Sequence, residues 1–168
     1  MQKQRARKHA RKNQGFSLIE LLIVVAIILI IAAIAIPNLL RSRMAANEAS
    51  AVGSLRTLNT AEITYNTTYS TVGFTCTLGN LAPPASGTSA TSSAAGLIDA
   101  TLASGNKSGY TFNLINCSGS PFSTYQSTAD PATVGTTGQR SFCSDNSGVI
   151  RQDGGGSSAN CLTNNVPI

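Results

Sequence analysis

Charge is scarce in this chain. Asp, Glu, Lys and Arg make up 11% of its 168 residues, less than half the roughly 25% usual for soluble domains. The basic charge is concentrated at one end. Lys3, Arg5, Arg7, Lys8, Arg11 and Lys12 all precede Gly15, and no acid does. From Phe16 onward six basic residues face seven acids, a side-chain balance of −1. No basic cluster remains there to neutralise a run of phosphates, so strong nucleic-acid binding by this chain alone is not expected. Histidine occurs once, as His9, inside the basic leader. A chain that lost its leader would have none, which excludes Ser-His-Asp and Cys-His catalysis and any imidazole metal site. No paired-carboxylate signature replaces them. Gly154-Gly155-Gly156 lacks the lysine and the strand-to-helix setting of a phosphate loop. Asp145 and Asp153 stand across a turn and glycines without EF-hand spacing. Catalysis, cofactors and metals are therefore not expected.

Cys-x-x-Cys pairs are also missing, which weakens zinc and thioredoxin-like readings. The four cysteines are Cys76, Cys117, Cys143 and Cys161. An even number in an exported domain suggests two disulfides, with three pairings allowed. Cys143–Cys161 and Cys76–Cys117 are favoured, because each would staple a plausible loop.

What the chain does have is an apolar segment of 21 residues, Phe16 to Ile36, broken by one acid, Glu20. A helix of that length spans about 30 Å, the thickness of a bilayer core. The basic leader places the N-terminus on the cytoplasmic side. Arg41 and Arg43, just past the outer face, are a mild departure from that rule. Three outcomes compete: an unprocessed single-span anchor, a secretory signal cut after Ala35 at the small-x-small site Ala33-Ile34-Ala35, and a cut on the cytoplasmic side after Gly15. Glu20 separates them. A carboxylate in mid-span costs on the order of 2.5–3.5 kcal/mol, and neither an anchor nor a signal needs it. After a cut at Gly15 it lies within about one helical turn of a new α-amino group. It can pair with that ammonium or with a neighbour's. Such a pair need not add net stability, but leaving either charge unpaired is heavily penalised, so it can set register. Pro37 lacks an N–H and crowds the Ala33 carbonyl, so it either kinks the helix or ends the span before a second helix begins.

The run Gly15-Phe16-Ser17-Leu18-Ile19-Glu20-Leu21-Leu22-Ile23-Val24-Val25-Ala26-Ile27-Ile28 resembles the class III signal of type IV pilins and their pseudopilin relatives. The similarity continues through Ala32-Ala33-Ile34-Ala35-Ile36-Pro37-Asn38. It implies cleavage after Gly15 by a prepilin peptidase and N-methylation of Phe16 by the same enzyme. It also implies pairing of Glu20 with a neighbour's terminal amine during assembly. The 15-residue leader is similar to the type IVa branch. Many members carry glycine where this chain has Leu29, so the helix loosening associated with that glycine is not implied here.

Beyond Pro37, Met44, Ala51, Leu55, Leu58, Tyr65 and Tyr69 recur at helical spacing. One helix is expected from about Ser17 to Tyr69, with Thr57, Asn59 and Thr60 on its other faces and Tyr65 and Tyr69 in a core against a sheet. Residues 71–108 read as a Ser/Thr/Gly-rich loop. Its stretch 85–96 holds six Ser or Thr and can bury little; it is either a plain linker or a variable or glycan-bearing surface loop. A short helical turn is expected within Leu97–Leu102. Strand patterns cover Gly109–Asn116, Phe122–Ala129, Arg140–Ser144 and Val149–Gln152, with a turn at Asp145-Asn146-Ser147-Gly148. The expected fold is α+β: a long N-terminal helix whose outer half packs on an antiparallel sheet of three or four strands. The segments are a leader (1–15), an apolar helix (16–36), an amphipathic half (37–70), the loop (71–108) and a disulfide-closed sheet region (109–168).

The resemblance implies a structural subunit of a type IV pilus. It would wait in the bacterial inner membrane with its N-terminus cytoplasmic, then be extracted into a homo-oligomeric surface filament for adhesion or motility. Its partners would be the prepilin peptidase, an inner-membrane platform and cytoplasmic ATPases. A type II secretion pseudopilin or a minor pilin is the nearest alternative. A secreted soluble protein cut after Ala35 comes next, and a membrane-anchored enzyme is the improbable one.

Overall fold

The computed structural model describes residues 15–164 and 166–168. The basic leader before Gly15, with His9, lies outside them. The chain divides into two units between Asn38 and Leu39. Helix α1, Leu18–Thr68, is 51 residues long and continues through Leu29 and Pro37. Of the two expectations at Pro37, the ending of the helix does not occur. Before Asn38 the helix buries nothing: every residue from Gly15 to Asn38 is exposed except the half-buried Ala32.

The unit from Leu39 onward holds a six-stranded antiparallel sheet in which neighbours in sequence are neighbours in space. Its strands are β1 (Asn106–Lys107), β2 (Tyr110–Gly119), β3 (Phe122–Pro131), β4 (Ser141–Asp145), β5 (Arg151–Asp153) and β6 (Val166–Pro167). The expected count of three or four falls short because β1 and β6 are two-residue edge pairings that carry no alternation for a sequence pattern to show. Two short helices, α2 (Ala100–Ala103) and α3 (Ser158–Asn164), and a 3-10 turn at Leu78–Leu81 complete the unit.

Period-two alternation sets the register. Phe112 stands opposite Ala129, and Ala129 opposite Phe142. These three join Leu55, Leu58, Tyr65, Tyr110 and Tyr125 in one buried cluster. Ring pairs at 4.9 Å (Tyr65–Tyr69) and 4.8 Å (Phe74–Tyr125) belong to it or pack on it. The Tyr65–Tyr69 pair is thus core packing. On the opposite face of the sheet Thr128 stands beside Cys143. A disulfide from Cys143 to Cys161 holds α3 to β4, and Cys76 is bonded to Cys117 on β2. Each bridge removes freedom from the unfolded chain worth roughly 3–4 kcal/mol in the chain-entropy account.

Helix and sheet are also tied by polar side chains. Asn59, expected on an outer face, is buried. Its amide donates to Ser144 Oγ at 2.9 Å, and its carbonyl accepts from the Tyr125 hydroxyl at 3.1 Å. Glu48 accepts from the backbone N–H of Gln139 (3.0 Å) and Arg140 (3.2 Å), and from Arg140 Nε (2.8 Å) and Nη2 (2.6 Å). Burial pushes the Glu48 carboxyl upward, but the Arg140 and backbone hydrogen bonds outweigh it and hold it below the usual range. Replacing Glu48 by Ala strands those donors, so Glu48→Ala should cost about 2–4 kcal/mol in a denaturant titration of the full chain in detergent.

Glu62 is the opposite case. It lies on α1 with no exposed surface, and its Oε2 accepts from the Thr75 N–H at 2.9 Å. Its Oε1 has no hydrogen-bond partner among the described residues. Burial raises its pKa to about 7, and the Thr75 bond only partly opposes this. Below about pH 4.5 both folded and unfolded chains hold the proton. Between there and about 7 the unfolded chain ionises first, so stability falls as pH rises and levels off above 7. The loss is roughly 2–4 kcal/mol. Unfolding at pH 5 and pH 8.5 should show it in the wild type, and Glu62→Gln should abolish most of the difference.

Candidate functional site: the apolar helix and its N-terminal acid

Fourteen large aliphatic side chains lie between Leu18 and Ile36, each at least 46% exposed. None of this stretch is buried within the described residues. Length and composition suit a membrane span or a helix buried among other helices. The helix is apolar all round, which in water would be untenable.

Its start is built locally. Ser17 occupies the N-cap position: its carbonyl accepts from Glu20 N–H (3.1 Å) and Leu21 N–H (3.3 Å). The Glu20 carboxylate turns back and accepts from Ser17 N–H at 2.8 Å. This is one half of a capping box, Ser-x-x-Glu, which satisfies a donor the helix cannot reach and places negative charge at the positive end of the helix dipole. From sequence, Glu20 is expected to pair with the terminal ammonium of its own chain or of a neighbour; the bond to Ser17 N–H is a further, local role that the Ser17-x-x-Glu20 spacing also signals. Both roles use one carboxylate with two oxygens. Only Oε2 is engaged with Ser17, so Oε1 can still face a second donor.

Phe16 is 88% exposed, ahead of the first helical turn. Gly15 precedes it, and no described residue lies within 4 Å of where a Gly15 side chain would begin. The fold itself therefore does not demand glycine at this position. Gly73 is a contrast. Its φ is +83°, and a Cβ there would collide with the Phe122 carbonyl, so packing explains that glycine.

The other residues singled out from sequence lie apart from this start. Pro37 is inside α1, and Cys76, Cys117, Cys143 and Cys161 brace the sheet unit. No group of His, Cys, Asp and Glu able to hold a metal ion occurs among the described residues.

Comparison with known proteins finds a family match on the same segment. Residues 10–36 match the family described as the prokaryotic N-terminal methylation motif. The type IV major pilin protein PilA of Myxococcus xanthus is 51% identical over 51 residues, covering 30% of this chain and 23% of that protein. The type IV wide pilus major component PilA4 of Thermus thermophilus is 63% identical over 38 residues, 23% of this chain and 29% of that protein. This chain thus matches only about a quarter of the length of these relatives. No solved structure matches the chain.

The capping geometry makes a direct prediction. Glu20→Ala removes the acceptor of Ser17 N–H, whereas Glu20→Gln keeps one. Amide exchange at Ser17, measured on the full chain in detergent, should accelerate roughly 2- to 10-fold in the alanine variant and little in the glutamine variant.

Proposed function

We propose that this chain is the structural subunit of a type IV pilus, processed after Gly15, N-methylated at Phe16 and assembled into a helical surface filament. The observation that carries this reading is the coincidence of three features on one segment: the methylation motif over residues 10–36, a helix exposed on all sides, and an acid at its first turn. An apolar helix can leave lipid only for another apolar surface, and a core of identical helices is one. Lipid contacts are then exchanged for helix–helix contacts of similar strength.

In that filament Glu20 serves register. After the cut, Ser17 stands second in the chain and Phe16 supplies the ammonium. A carboxylate already held by Ser17 N–H presents its free oxygen to the terminal amine of its own chain or of a neighbour. Displacement by one position leaves a charge unpaired in a dry core, which costs several kcal/mol. Pro37 supplies a local break in the α1 hydrogen-bond ladder, since it has no N–H to offer the Ala33 carbonyl. The partners are further copies of this chain, a prepilin peptidase and an inner-membrane assembly platform driven by cytoplasmic ATPases. The chain carries no catalytic activity of its own; its relatives are named as structural pilus components.

Because the fold places no demand on Gly15, the glycine is read as a peptidase requirement. Gly15→Val should leave the sheet unit folded and both disulfides formed, yet lower the processed fraction at least tenfold by immunoblot. Glu20→Ala should be inserted and cut normally but yield few surface filaments. Normal processing of the first variant, or abundant regular filaments from the second, would contradict the proposal.

A further inference from the structure

The unit from Leu39 onward uses its acids internally. Glu48 binds Arg140, Asp99 binds Lys107, and Asp145 binds Arg151. Asp130 holds Ser158 through its N–H and hydroxyl, Asp153 accepts from Gly155 N–H, and Glu62 accepts from Thr75 N–H. Arg41, Arg43 and Arg56, all on α1 and all exposed, have no carboxylate within ion-pair distance among the described residues. Of these, Arg43 lines a cavity of about 390 Å³ together with Leu40, Asn47, Ser108, Thr136 and Thr137. No acid lines it.

Donors reach this cavity from three separate stretches of chain. Arg43 brings up to five N–H groups in a fixed fork. Asn47 Nδ2 gives one proton to the Thr137 carbonyl at 2.8 Å and has a second to offer. Ser108 Oγ accepts from Ser50 Oγ at 3.0 Å, which leaves its own proton free. The Thr136 hydroxyl makes no hydrogen bond within the described residues. Thr137 is already engaged, accepting from Thr133 N–H at 3.0 Å and donating to its carbonyl. Gly109 keeps the wall open: a Cβ there would stand 2.9 Å from Thr137 Cβ and 3.3 Å from Asn47 Nδ2.

We propose that this cavity binds a phosphate group, held by the Arg43 guanidinium and capped by Asn47, Ser108 and Thr136. A carboxylate that takes the arginine fork keeps its remaining lone pairs in the guanidinium plane, whereas a tetrahedral phosphate also presents acceptor oxygens out of that plane, to donors from the other two stretches. The volume exceeds a bare ion, and Leu40 offers an apolar wall, so an ester fits better than inorganic phosphate. Two sources supply that chemistry: a free phosphate ester, or the headgroup of a phospholipid. Arg43 follows the apolar run by only seven residues in the same helix, which favours the headgroup. That choice of source rests on the membrane reading above; the phosphate chemistry does not.

The test uses the full chain in an uncharged detergent, so it is independent of processing and filament formation. Amide shifts of Gly109 and Thr137 are followed during titration with glycerol phosphate, with dioctanoyl phosphatidylglycerol and with acetate. Saturable shifts with either phosphate compound support the site. The lipid alone, or the lipid tighter, identifies the headgroup; equal binding of both identifies the free ester. Arg43→Gln should weaken binding at least tenfold, while Arg56→Gln, which removes an equally unpaired arginine outside the cavity, should not change it. Acetate binding as tightly as the phosphates would reassign the site to a carboxylate, such as one from a neighbouring copy, and overturn the proposal. So would equal losses in the two arginine variants, or no saturable shift at all.

Discussion

The apolar surface between Leu18 and Ile36, which the described residues do not cover, is the constraint on the first part of helix α1. Burying one large aliphatic side chain is worth about 1.5–3 kcal/mol. Fourteen of them stand exposed between Leu18 and Ile36, so leaving this helix in water would cost on the order of tens of kcal/mol. That exceeds the 5–15 kcal/mol by which a whole domain is normally stable. The helix must lie in lipid or against other helices, and its single carboxylate must be satisfied in either place. The capping bond between Glu20 and Ser17 N–H provides part of that satisfaction within the chain.

The sheet unit solves a different problem. It must hold the outer part of α1 firmly while its own charge is low. A cluster of aromatic and aliphatic side chains supplies the driving force, and Glu48 and Asn59 fix where the helix sits on the sheet. Hydrogen bonds to buried polar groups are stringent because a shifted register leaves donors unpaired. Two disulfides then close loops of 41 and 18 residues' separation within the unit. Glu62 is a buried carboxyl with one oxygen unpartnered among the described residues, and it makes the unit more stable in mild acid than in mild base.

Much of this was legible in the sequence because the signals are local. The apolar run, the helical spacing from Ala51 to Tyr69 and the alternation of Tyr110, Phe112 and Leu114 each depend on neighbours in the chain. The α+β fold, the long helix and the four main strands follow from them. What was not legible depends on partners far away in sequence. Helix α3 is rich in poor helix formers, and its first turn is held by Asp130, whose carboxylate takes Ser158 N–H and Oγ at 2.7 Å from 28 positions upstream. Asn59 looks like a surface residue until Ser144 and Tyr125 arrive beside it. Arg140 looks like a strand residue until Glu48 claims its guanidinium. The edge strands β1 and β6 are too short to carry a period. At the start of the apolar run the sequence marked Gly15, Phe16 and Glu20, and the structure adds the capping bond of Glu20 to Ser17 N–H, which the Ser17-x-x-Glu20 spacing also signals.

The central claim is that this apolar helix stays on the mature chain and forms the core of a filament. Intact-mass and N-terminal analysis of protein sheared from the cell surface tests it most directly. The account requires an abundant chain that begins at methylated Phe16 and carries two disulfides. A surface product beginning at Ile36, with the helix removed, would contradict it.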